Sequence, residues 1–218
     1  MHPITTAILA EQLAIADALL QGRETMLMPQ ELPGRYGRVV HAIDRVLLAS
    51  DCEALVGGGW AVWRHGYIGR VTQDIDIILP ANRIEEFMRV ASVSGFQVLS
   101  SLPGRWPKLL HKDTDVQVDI LPEGERPGSP PDYAPTTIPS PSQIGAVVGS
   151  LRYIGINTLV ELKLAAGRLK DKADVVELLR VNSGEVNSIR THLVHVHPQY
   201  VNLFDELVAQ AHKDDVQR

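Results

Sequence analysis

The segment Thr72-Gln73-Asp74-Ile75-Asp76-Ile77-Ile78-Leu79 sets two carboxylates two residues apart in an otherwise apolar run closed by Pro80. Its aliphatic composition predicts a strand over 74–79. Alternate side chains of a strand share a face, so Asp74 and Asp76 project one way and Ile75, Ile77 and Leu79 the other. Two carboxylates about 7 Å apart along a strand repel each other. Burying them without a cation is costly. A divalent metal removes that cost, and hard Mg²⁺ takes a few carboxylates together with phosphate oxygens and water. Taken alone, an Asp-x-Asp pair is read more simply as two solvated side chains at a strand end.

A second apolar run, 116–121, carries Asp119 between Val118 and Ile120. If the two strands are neighbours, three carboxylates converge. Such a set can hold two metals, one activating an attacking hydroxyl and one steadying a leaving pyrophosphate. Asp119 would then help to deprotonate the acceptor. Asp115 is expected on the same face, but about 13 Å away at strand rise. Upstream lies Val56-Gly57-Gly58-Gly59-Trp60. Glycines there let the backbone approach an anion, and the helix that follows presents free N–H groups. Lys163 shares a helix face with Leu159 and Ala166. It reaches solvent by snorkelling, or contacts phosphate if that face meets the carboxylates.

The elements that must position these groups follow from pattern and punctuation. Helices are expected over 6–21, with Thr5 or Thr6 as cap, Gly22 as terminator, and Ile8, Leu13, Leu19 and Leu20 inward. Val39, Val40, Ile43, Val46 and Leu47 recur at helical spacing. A short strand over 54–56 precedes a helix from near Trp60 to Gly66. A helix capped by Asn82 runs to Val93 and ends at Gly95, and strands follow at 96–99 and 116–121. Seven prolines between Pro122 and Pro141 make that stretch a connector. Beyond it, Thr158-x-x-Glu161 reads as a capping box, Asp171 as the cap of another helix, and 200–211 as a further amphipathic segment. The expectation is an α+β fold in three parts: a helical extension over 1–50, a sheet-bearing catalytic core over 51–141 with connector 122–141, and a mainly helical substrate-binding portion over 142–218.

Composition narrows the setting. With 44% hydrophobic and 22% charged residues the chain has an ordinary globular balance. Net charge −5 argues against coating nucleic acid by bulk electrostatics, although Arg105, Lys108, His111 and Lys112 cluster. No membrane span or signal sequence is expected. The single cysteine, Cys52, fits a reducing cytoplasm and reads as a small buried hydrophobe. His192-x-x-His195-x-His197 lacks a Cys or acidic partner at ligand spacing and reads as surface histidines. Arg168, Lys170, Asp171 and Asp174 read equally as intrahelical pairing or as part of a site.

In order, Gly58-Gly59-Trp60-Ala61, His65-Gly66, Arg70-x-Thr72-x-Asp74-Ile75-Asp76, Val118-Asp119-Ile120-Leu121, Glu161-Leu162-Lys163-Leu164 and Arg168-x-Lys170-Asp171-x-x-Asp174 resemble the polymerase-β-type nucleotidyltransferase superfamily. The order is most similar to the bacterial branch of abortive-infection toxin nucleotidyltransferases. The Gly-Gly-Trp-Ala opening also resembles the aminoglycoside and lincosamide enzymes. The resemblance spans residues 54–180 and implies a mixed sheet flanked by helices, with a helical substrate-binding portion after it. It implies that Gly58 and Gly59 face a triphosphate, that Asp74, Asp76 and Asp119 hold Mg²⁺ or Mn²⁺, and that Arg70 and Lys163 contact the nucleotide. The reaction implied moves a nucleoside monophosphate from an NTP to RNA, protein or a small molecule and releases pyrophosphate. A non-catalytic NTP-binding module of a two-gene system is the alternative. The second glycine is often serine in the family, so Gly59 would forgo a hydroxyl contact. The resemblance gives the first fifty residues no role.

Overall fold

A computed structural model describes residues 6–21, 34–99, 106–129, 131–144 and 151–216. The helices are α1 (Thr6–Gln21), α2 (Gly34–Ala49), α3 (Gly58–Arg64), α4 (Ile84–Val93), α5 (Ile156–Ala166), α6 (Leu169–Val181), α7 (Val186–Val196) and α8 (Pro198–Val216). The strands are β1 (Ala54–Val56), β2 (Asp74–Leu79), β3 (Phe96–Leu99), β4 (Lys108–His111), β5 (Val116–Pro122) and β6 (Leu151–Tyr153). They form one sheet in the order β3-β4-β5-β2-β1-β6. β2 runs parallel to β5 and β1 parallel to β6, while the other neighbours are antiparallel. The fold is therefore α+β, a mixed sheet flanked by helices with a helical C-terminal portion.

Strand alternation sorts the sheet into two faces. Ile75, Ile77, Val116, Val118 and Ile120 pack against Val39, Val40, Ile43, Val46 and Leu47 of α2 and Ile15 of α1. On the other face, Leu55 and Ile78 join Leu159, Val160 and Leu164 of α5, Leu178 and Leu179 of α6, Leu193 of α7 and Phe204 of α8. Each such side chain contributes roughly 1.5–3 kcal/mol, which is what holds strands as short as β1 and β6. The Asp residues share the second face, where they line a cleft with residues of α5 and α6. Among the described residues no helix is long and apolar enough to cross a membrane.

Several local expectations are corrected. The helix after the glycines begins at Gly58 rather than near Trp60. Two strands were not expected. β4 hides its period in Lys108-Leu109-Leu110-His111, and β6 is a three-residue edge strand held by its parallel partner β1. In α1 Leu13 is exposed, while Gln12 and Ile15 face inward; the side chains of Ile8, Leu19 and Leu20, and residues Thr5 and Gly22, lie outside those described. Asn82 lies in a single helical turn, Ala81–Arg83, that leads into α4 without a side-chain cap. Thr158 opens no capping box, because α5 starts at Ile156 after Gly155. Asp171 sits inside α6 rather than capping it, and its carboxylate is bound elsewhere. Asp115 is no strand residue: it lies in the β4–β5 turn with φ 55°.

Candidate active site

The pairing of β2 with β5 sets Asp76 directly opposite Asp119, on strands about 4.8 Å apart. Asp74, one alternation away, shares their face. Burial pushes the Asp76 carboxyl up to about 7, and the negative charges of Asp74 and Asp119 push the same way against the pull of Lys163 and Arg168. Three carboxylates thus share one end of the sheet, and burial together with its two negative neighbours favours the protonated form of Asp76. Gly58 closes over it: its φ is +56°, and a Cβ there would lie 1.7 Å from Asp76 Oδ2. Only glycine combines that backbone with that approach. At Gly59 a Cβ would lie 2.5 Å from Thr72 Oγ1. A serine at that position needs Thr72 to turn away, which is the physical reason for glycine here.

The loop into β2 is fixed one carbonyl at a time. Trp63 Nε1 donates to Arg70 O at 3.0 Å, and Trp60 Nε1 to Asp74 O at 2.8 Å. Between them, the Thr72 carbonyl accepts from the Gln12 amide and from Tyr36 Oη, while Thr72 N–H donates to Gln12 Oε1 at 3.2 Å. The Thr72 hydroxyl lies 3.3 Å from Asp74 Oδ1. Tyr36, Trp60 and Trp63 stack edge to face, at 4.9 and 4.8 Å between successive ring centroids. So α1 and α2 have a task the sequence did not disclose: they grip the residue two before the first aspartate. They are joined in turn by Glu11, whose Oε1 accepts Arg35 N–H at 2.7 Å and Tyr36 N–H at 3.3 Å at the start of α2. That supplies the missing acceptors at a helix N-terminus.

Opposite the carboxylates lies a paired charge network. Lys163 is buried, and its ammonium donates to Asp171 Oδ1 at 3.0 Å and Asp174 Oδ2 at 2.7 Å. Arg70 binds Asp174 at 2.5 Å, and Arg168 binds Asp171 at 2.5 Å. Burial, the largest influence, raises the Asp171 carboxyl, but Arg168 and Lys163 outweigh it and hold the group below its ordinary value. Lys163 therefore neither snorkels nor stands free, and two of its three protons are committed.

Gly58, Gly59, Arg70, Asp74, Asp76, Asp119 and Lys163 all line one cleft of about 440 Å³. It also takes in Arg168, Lys170 and Asp171, with Trp106, Leu121, Ile138 and Leu162 along its apolar side. Lys108 and Gln117 were not singled out from sequence as site residues. Lys108, paired in register with Asp119, donates to its Oδ2 at 2.5 Å, and Gln117 Nε2 donates to its Oδ1 at 2.5 Å. The signal for Gln117 was available, since it alternates with Asp119. Lys108 became visible only once β4 was known.

The remaining candidates fall outside the cleft. His192 Nε2 lies 2.6 Å from Glu161 Oε2, and Glu161 also accepts the Thr136 hydroxyl. An acidic partner thus exists in space though not in spacing. His195 Nδ1 lies 2.8 Å from Thr191 O within α7, and His197 Nδ1 accepts the Gln199 N–H of α8 at 3.3 Å. Cys52 is buried, which pushes its thiol up to about 11.

Among the described residues no three His, Cys, Asp or Glu side chains cage a metal by themselves. The donors near one another are Asp74, Asp76 and Asp119, all oxygen, and Asp76 is short of positive charge. Such a set fits Mg²⁺, which takes one or two carboxylates and completes its shell with substrate phosphates and water. It does not fit a soft or all-protein site.

No family model matches the chain, and no curated protein matches it by sequence. The similar solved structures include two of ANT(2'')-Ia. A crystal structure of ANT(2'')-Ia in complex with adenylyl-2''-tobramycin aligns at 17% identity and TM-score 0.42, over 79% of this chain and 97% of that one. A solution structure of the antibiotic-resistance factor ANT(2'')-Ia aligns at 15% identity and TM-score 0.45, over 83% and 94%. At this distance neither assigns a function to this chain.

Proposed function

We propose that this chain is a metal-dependent nucleotidyltransferase of polymerase-β type, moving a nucleoside monophosphate from an NTP to an acceptor hydroxyl. The observation that carries this reading is the convergence of three carboxylates from two parallel strands beside a glycine turn and a cationic helix pair, all in one cleft. Asp74, Asp76 and Asp119 would hold Mg²⁺ or Mn²⁺, which when bound neutralises charge on the phosphates and lowers the pKa of the attacking hydroxyl. Gly58 and Gly59 would leave room for the triphosphate beside Asp76. Arg70, Lys163 and Arg168, held by Asp171 and Asp174, would set a fixed positive field for it. Asp119 would take the acceptor proton as the new O–P bond forms at the α-phosphorus and the bond to the β-phosphate oxygen breaks, releasing pyrophosphate. Residues 142–218 would supply the helical wall of the substrate site besides edge strand β6. On the order of its motifs, we place the chain in the bacterial branch of abortive-infection type.

One observation favours a binding-only module: both carboxylate oxygens of Asp119 are already engaged, by Lys108 and Gln117. Calorimetry on the wild type separates ligand binding from nothing at all. NTP should bind only with Mg²⁺ or Mn²⁺, and Asp74→Asn should abolish that binding. Equal binding in EDTA would overturn the proposed metal role.

A further inference from the structure

We infer that the acceptor is a small hydroxyl-bearing molecule with a flat aromatic or aliphatic body and no positive charge. This rests on the nucleotidyltransferase reading, because it describes what lies beside Asp119. The N–H of Ile120 donates to Pro107 O at 3.0 Å, extending the β4–β5 ladder past Lys108. By strand alternation Trp106 then falls on the same face as Lys108 and comes beside Leu121, two residues on from Asp119. Trp106 and Leu121 are only half-buried, both line the cleft, and both pack against the C-terminal core. Leu162 and Ile138 complete this apolar wall. Among the described residues the acceptor side therefore offers one aromatic ring, three aliphatic side chains and the ammonium of Lys108.

Charge excludes the opposite kind of acceptor. A polycation needs spare carboxylates to replace its water. Of the described carboxylates lining the cleft, Asp74, Asp76 and Asp119 would serve the metal, and Asp171 is taken by Lys163 and Arg168. Lys108, paired with Asp119 and part exposed along the cleft, puts positive charge on the acceptor side. It repels a positive acceptor and tolerates a neutral or anionic one.

The test uses the full chain with Mg²⁺ and α-labelled NTPs on a cell extract divided into protein, RNA and small molecules, the last split by cation exchange and reversed phase. Label should enter a small-molecule product that reversed phase retains and the cation exchanger does not. Trp106→Ala should raise the acceptor KM about tenfold by loss of stacking while NTP affinity by calorimetry stays within about twofold. Trp106→Phe should restore the acceptor KM, which guards against misfolding of the alanine variant. Label in a cation-retained product, in RNA or in protein overturns the inference, as does an acceptor KM unmoved by Trp106→Ala. Label in no fraction despite Mg²⁺-dependent NTP binding overturns instead the transferase reading on which the inference stands.

Discussion

Replacing Asp76 by Asn should make the metal-free protein more stable at alkaline pH, although it destroys the proposed site. In the folded chain the Asp76 carboxyl is pushed from its ordinary 3.8 up to about 7, first by burial and then by Asp74 and Asp119. The sign follows from proton counting. Between those two values the unfolded chain has released the proton that the folded chain keeps, so stability falls as pH rises through the window. Above pH 7 the whole penalty is present. Three units at about 1.4 kcal/mol each give a ceiling of ~4 kcal/mol. As a residue Asp76 is only half-buried, so some screening by water is allowed for, and roughly 1–3 kcal/mol is expected. Asn has nearly the same volume and no charge. Urea unfolding of both proteins in EDTA at pH 4.5 and 8.5 measures the difference. The variant should gain relative to wild type at pH 8.5, and at pH 4.5 only about a quarter of that gain should have developed. Millimolar Mg²⁺ should narrow the gap by stabilising the wild type alone. A variant less stable than wild type at pH 8.5 in EDTA refutes the reasoning.

Three further outcomes follow from the same geometry. Gly58→Ala combines a left-handed backbone with a Cβ 1.7 Å from Asp76 Oδ2; it should lower stability by more than about 1 kcal/mol and remove Mg²⁺-dependent NTP binding in calorimetry. Lys163→Met leaves Asp171 and Asp174 buried against Arg168 and Arg70 alone, so urea unfolding should show a loss of about 3–5 kcal/mol, with Lys163→Arg losing less. Gln12→Leu removes both hydrogen bonds to the Thr72 backbone and should cost about 1–3 kcal/mol; if α1 positions the aspartates, NTP affinity falls with it, and unchanged affinity would make the clamp purely structural.

How much was legible follows the range of each interaction. β2 and its Asp pair were readable because a strand period is local, and the pairing with β5 was a conditional that the register met at Asp76 and Asp119. The inward face of α2 was likewise readable from Val39, Val40, Ile43, Val46 and Leu47. What escaped depends on contacts across the chain. β6 is three residues long and exists because β1 pairs with it. Glu161 looked like half of a capping box, yet it answers His192, thirty-one residues on. Asp171 looked like a cap, and Lys163 eight residues away claims it. The clamp of Gln12 on Thr72 spans sixty residues and joins one side chain to the backbone of a residue of no distinctive pattern. Nothing in α1 marked Gln12 as inward, because an amphipathic reading favours Leu13 over a buried amide that is satisfied by backbone groups.

The transfer itself is tested most directly with paired labels on wild type and Asp119→Asn. NTP labelled at the α-phosphate and NTP labelled at the γ-phosphate are supplied separately, with Mg²⁺ and the small-molecule fraction of a cell extract. NTP affinity is measured on the same samples. For the wild type the α-label should enter product and the γ-label should leave as pyrophosphate. Asp119→Asn should keep NTP affinity within about threefold and lose transfer by on the order of 10² to 10⁴. Entry of the γ-label into product, or near-normal transfer by Asp119→Asn, would contradict the account.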